Sequence, residues 1–171
     1  MVFAGGLVLG GYVWFGDAGR HESVARHRID RLLLPDGIET LTTITFRRGD
    51  SKVLIERMAG GWVYVGGQPC CATSNADSSS FIDARVRMLS TARIERDFSL
   101  AAIQPKHYGI DAKSVRIELA FLQPEERSWI LAIGGRTPDG FGQYLHFEGT
   151  ERIITLPAYH IDNLLRLYAH R

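Results

Sequence analysis

Val115, Ile117, Leu119 and Phe121 alternate with Arg116, Glu118 and Ala120. A two-residue period of this kind is met by an extended strand with one face buried and the other polar. No other feature constrains the fold as strongly, because neighbouring segments show similar short strands between turn signals. Ile44 and Phe46 alternate with Thr43, Thr45 and Arg47 ahead of a Gly49-Asp50-Ser51 turn. Lys52–Met58 reads as a second strand, Ala59-Gly60-Gly61 as a turn, and Trp62–Val65 as a third strand. Beyond Phe121, a turn through Gln123-Pro124-Glu125-Glu126 leads to Trp129, Leu131 and Ile133. The glycine-rich stretch Gly134–Gly142 then connects to strands at Gln143–Glu148 and Arg152–Leu156.

Two segments carry the helical period instead. From about Ser78 to Thr91, with Asp77 or Asn75 as N-cap, Phe81, Ile82, Ala84, Val86, Met88 and Leu89 form a broad apolar arc. Arg85 projects from the middle of that arc, and so either snorkels past its neighbours or meets a buried carboxylate or carbonyl. The second helix opens with Pro157 at its first position and places Ala158, Ile161, Leu164, Leu165 and Tyr168 on one face. Strand–strand–strand–helix order is read at residues 42–91 and again at 114–169. The expected fold class is α+β, an antiparallel sheet with packed helices and a possible duplicated β-β-β-α unit, preceded by one N-terminal membrane helix.

That last element rests on Met1–Gly16, MVFAGGLVLGGYVWFG, which contains no charged residue. Sixteen residues fall just short of the roughly 17–25 needed to cross a bilayer, so a span recruits residues 17–19 or thins the membrane locally. Tyr12, Trp14 and Phe15 supply the ring types that favour the membrane–water interface. Gly6 and Gly10 form a GxxxG pair that lets a partner helix approach closely. A cleavable signal peptide or a buried core segment is the competing reading, but for the former no basic residue precedes the stretch and no small-x-small site follows it. Residues 20–34 form a basic connector, stopped by Pro35, that suits either solvent or anionic headgroups. The expected organisation is an anchor at 1–19, a connector at 20–40 and an extramembrane domain at 41–171.

Composition narrows function mainly by exclusion. A net charge of +1 offers no basic excess for nucleic acid, so no nucleic-acid partner is expected. Cys70 and Cys71 are adjacent, a spacing unfavourable for an ordinary disulfide and insufficient for a four-ligand zinc site. The chain has no GxxxxGK[ST] loop, no GxGxxG helix opening, no GxSxG elbow, no HExxH pair and no CxxCH. Its six histidines, at 21, 27, 107, 146, 160 and 170, lack metal-ligand spacing. No catalytic, cofactor-binding or metal-binding residues are assigned. The candidate contacts are Gly6, Gly10, Tyr12, Trp14 and Phe15 toward membrane or partner, and Arg85 as a buried polar contact.

Several short motifs resemble an uncharacterised group of bacterial membrane-anchored domains that includes the C-terminal part of gliding-motility-type ABC transporter auxiliary proteins. They are Leu33-Leu34-Pro35, Phe46-Arg47-Arg48, Gly60-Gly61-Trp62, the helix at Phe81–Leu89, His107-Tyr108-Gly109-Ile110, Ala132-Ile133-Gly134 and Gln143-Tyr144-Leu145. The resemblance implies a single-pass protein of the bacterial inner membrane, with its globular part on the periplasmic side. The arginines that follow the apolar segment would by themselves place that part in the cytoplasm. The expected function is a non-enzymatic accessory subunit of a membrane complex, with the lipid bilayer and other membrane-complex subunits as partners. Small-molecule ligands and cofactors are not expected. The alternative is an envelope protein that binds a ligand or polymer for an ABC-type transporter, in an apolar pocket near Gly134–Gly142. A hydrolase with an unrecognised site ranks third.

Overall fold

The computed structural model describes residues 31–34, 37–66, 75–99, 104–122 and 127–169, with the side chains of 75–77 left aside. Gly6, Gly10, Tyr12, Trp14, Phe15, Cys70 and Cys71 lie outside the described residues. Within them the chain forms β1 (Leu41–Arg48), β2 (Ser51–Met58), β3 (Gly61–Gly66), α1 (Asn75–Ser90) and β4 (Arg96–Ser99). A short 3-10 turn at Pro105–Tyr108 follows, then β5 (Arg116–Phe121), β6 (Arg127–Arg136), β7 (Gly142–Phe147), β8 (Arg152–Pro157) and α2 (Ala158–Ala169).

All eight strands belong to a single antiparallel sheet in the order β3-β2-β1-β5-β6-β7-β8-β4. This corrects the expected duplication behind a membrane helix. The second half supplies four consecutive strands, not three, and β1 zips directly onto β5. The connection after α1 contributes β4, which crosses to the far edge and pairs with β8. Periodicity locates strands but is silent on which strand lies beside which, so two similar successions of elements were misread as two similar units. The expected membrane helix at residues 1–19 lies outside the described residues. Among the described residues no helix is long and apolar enough to cross a membrane.

The alternation read from sequence is physically realised on one sheet face. Ile44, Phe46, Ile55, Ile117, Leu119 and Leu145 are all completely buried there, beneath α1 and α2. Register puts Ile44 opposite Ile55 on one side and Leu119 on the other, so apolar side chains line up across strands. From α1, Ile82, Val86 and Leu89 are buried, and from α2, Ile161, Leu164 and Leu167. Tyr64 of β3 donates its hydroxyl to the Leu167 carbonyl at 3.2 Å, tying the sheet edge to α2. The Phe46 and Tyr168 rings meet at 6.0 Å.

The opposite face is only partly covered. Tyr108 and Ile110, from the 3-10 turn and the residues after it, pack on Ala132 and Ile153 with Phe98 and Tyr144. Chain and sheet approach closely here, because a Cβ added to Gly134 would lie 2.4 Å from the Tyr108 carbonyl oxygen and 2.8 Å from Ile110 Cγ1. β4 was not read from the sequence. Across β1 and β5 the same face is polar and carries the exposed Arg47–Glu118 pair.

Two expected outcomes follow from this packing. Gly134→Ala forces the Tyr108 carbonyl away, and should cost about 1–3 kcal/mol in urea unfolding. His160 on α2 is 2% exposed and bonds the Met88 backbone of α1, while its Nδ1 has no partner. Burial pulls its pKa down, opposed by the Met88 hydrogen bond. The unfolded state therefore takes up its proton first, near pH 6.5. The stability His160 contributes is present above that pH and is lost as pH falls toward the lower folded-state value. The urea midpoint should drop between pH 7.5 and 5.5, and His160→Gln should drop less. Equal drops would remove His160 as the source.

Candidate functional site

β6 is longer than the strand beside it, and this difference in length creates a concavity. Toward β5 it is paired along Arg127–Ala132. Toward β7 the pairing begins only at Leu131 opposite Phe147. At the boundary the Glu148 N–H donates to the Ile130 carbonyl at 2.8 Å, after which the chain turns into β8. A groove of about 480 Å³ fills the space that a longer β7 would occupy. It is lined by Leu32, Leu33 and Ile94 on one wall and by Ser128–Ile130, Phe147, Glu148, Thr150 and Arg152 on the other. The first wall is held by backbone bonds from Leu33 to Ala92 (2.8 Å) and from Ile94 to Arg31 (2.7 Å).

Its floor is formed by Trp129 and Phe147, and the row of rings runs on to the buried Phe121 of β5. Phe121 and Trp129 have centroids 4.9 Å apart, and Trp129 meets Phe147 edge-on at 5.9 Å. These separations suit aromatic pairs. Cations brace the row: the Arg127 guanidinium lies 5.1 Å from the Trp129 centroid, and Arg152 lies 5.1 Å from Phe147. The charged groups at the rim already have partners. Arg152 pairs with Asp97 of β4 at 2.8 Å, and Glu148 accepts from Arg116 of β5. A smaller cleft of about 110 Å³ adjoins the groove and shares Ile94 and Arg152 with it. Apolar floor and walls with neutralised rim charges suit an uncharged, apolar occupant better than an ion.

Sequence reasoning missed this site. Phe121, Trp129 and Phe147 were visible only as members of separate strands. Their grouping depends on register, and the groove depends on where β7 ends. The pocket expected near Gly134–Gly142 is not where these cavities lie, since both are lined by other residues. That connection is a closed turn. The Gly142 N–H donates to Thr137 Oγ1 at 2.8 Å and the Phe141 N–H to Asp139 at 3.0 Å. The Thr137 hydroxyl, with this backbone donor, holds the Asp139 carboxyl below its ordinary pKa. Arg136 clamps the turn to α2 through Asp162, at 2.6 and 2.8 Å.

Arg85 stands apart from the groove. It lies on its own Phe81 ring, 3.3 Å from the centroid, and donates to the Phe81 carbonyl at 2.9 Å. Burial lowers its pKa, and the Arg166 cation adds to the shift against an opposing contribution from Tyr64. Among the described residues no group of three or more His, Cys, Asp or Glu side chains is placed to hold a metal ion.

No model of a known protein family matches the chain, and no curated protein matches it. A thioesterase-like protein from Clostridium sporogenes, of known crystal structure, aligns with a TM-score of 0.38. Identity is 15% over 76% of this chain and 95% of that one, a likeness too distant to carry an inference.

The geometry makes Trp129 half-exposed, whereas Trp62 is 2% exposed. In a Trp14→Phe background, acrylamide should quench an accessible fluorescence component that Trp129→Phe abolishes and a Trp62→Phe substitution leaves in place.

Proposed function

We propose that this chain is a non-enzymatic accessory domain that works by binding, with the groove over Trp129 and Phe147 as its binding site. One observation carries the reading: this groove is floored by a braced aromatic row, and among the described residues no unpaired titratable group lines it. General acid–base or nucleophilic chemistry needs a group of perturbed acidity aimed into a cleft. Glu148 and Arg152, the ionisable groups lining this one, are both engaged in ion pairs. Rings held edge-on across neighbouring strands present a rigid apolar surface that costs little entropy to order on binding. An accessory role within a larger protein assembly, which the short-motif resemblance implies, is consistent with a site built for recognition.

The test uses Nile red, an uncharged apolar fluorophore. Saturable one-to-one binding to the full chain is expected. Trp129→Ala and Phe147→Ala should each weaken it by about tenfold, equivalent to about 1.4 kcal/mol. Leu122→Ala, at an exposed position outside the groove lining, should leave it unchanged. Absent binding, or equal affinity across the three variants, would sink the proposal.

A further inference from the structure

The groove has one polar feature that an apolar ligand would leave unused. In an antiparallel ladder the backbone groups of successive residues point to opposite sides of the strand. In β6 the Ile133 N–H donates to Val115 on the β5 side, whereas the Ile130 carbonyl accepts from Glu148 on the β7 side. Odd-numbered residues of this stretch therefore bond toward β5 and even-numbered residues toward β7. Ser128 is even-numbered and lies beyond the end of β7. Its backbone N–H and C=O thus point into the groove it lines, and among the described residues they have no backbone partner. Ser128 is exposed, so these groups are open to hydration in the free protein. An occupant that displaces the water must replace its hydrogen bonds.

We infer that the occupant of this groove is an extended, uncharged polypeptide segment of a partner protein, which adds beside β6 in line with β7 and pairs with the Ser128 backbone. This inference rests on the groove being the binding site and names what it binds. Strand addition supplies the missing N–H and C=O in matched geometry, which a compact apolar molecule cannot do. The charge pattern agrees. Because Glu148 is paired with Arg116 and Arg152 with Asp97, the rim offers no net charge to an acidic or basic peptide. Burying an unpaired charge there would also be costly. Side chains of the added strand would alternate between its faces. The one on the ring side would sit against Trp129 and Phe147, with Leu33 and Ile94 behind it, so apolar residues are selected at that position.

A displayed library of random eight-residue peptides, panned against the full chain, is expected to yield uncharged sequences with apolar residues at alternate positions. Selected peptides, synthesised with blocked ends, should bind the wild type and compete with Nile red. Ser128→Pro removes only the groove-facing N–H, since that residue makes no bond toward β5. It should weaken peptide binding by tenfold or more while the thermal midpoint stays unchanged. On the peptide side, N-methylation scanned along the backbone should abolish binding at the amide facing Ser128 and spare its immediate neighbours. Nile red binding without any selected peptide would overturn strand addition and leave the groove reading standing. Peptide binding indifferent to both Ser128→Pro and N-methylation would overturn it too. Concentration-dependent doubling of mass that buries Trp129 would assign the groove to a second copy and overturn the heterologous partner.

Discussion

The pairing of β1 with β5 is the joint on which the structure depends. It unites two stretches that are each only locally organised, the β1–β2–β3 hairpins and the β5–β8 meander, into one sheet. Ile44, Phe46, Ile117 and Leu119 meet across this joint and are fully buried. Each such side chain contributes on the order of 1.5–3 kcal/mol by leaving water. A slip of one residue would turn one strand's pair of these side chains to the polar face, so register here is strongly specified. Without this seam neither helix would have a continuous surface to cover.

Once the sheet is continuous, unequal strand length becomes a functional resource. β6 is the longest strand, and each neighbour leaves part of it uncovered. Toward its C-terminal end, Gly134 lets Tyr108 and Ile110 approach closely, and that connection is packed. Toward its N-terminal end, the early turn of β7 opens the groove. The aromatic row lies at this open end, with Arg127 and Arg152 against the rings and the rim charges paired off. One strand is thereby packed at one end and accessible at the other.

How much of this was legible depended on the range over which each signal acts. Alternation at Val115–Phe121 and the turns at Gly49 and Gly60-Gly61 are local, and they located β1, β2, β3 and β5 to within a residue or two. The helix over Phe81–Leu89 was also visible, although it begins at Asn75, ahead of the expected Ser78. Pro157 closes β8 instead of opening α2, a shift of one residue. β4 was missed because Arg96–Ser99 contains a single apolar residue, Phe98, and no period can be read from one position. The groove was missed for a different reason: its floor joins residues 129 and 147 of different strands, and no local pattern links them.

Amphipathic period and turn chemistry, written in residues two to four positions apart, were enough to say that this chain makes short antiparallel strands and two helices. They also placed Arg85 on a largely apolar helix face. Strand order, the absence of a true duplication, the crossing of β4 to β8 and the end of β7 short of Ser128 came only from tertiary structure. The physical reason is that strand pairing is a contest among distant segments of similar local pattern. It is resolved by which arrangement buries the most apolar surface at once, and no window of sequence contains that comparison.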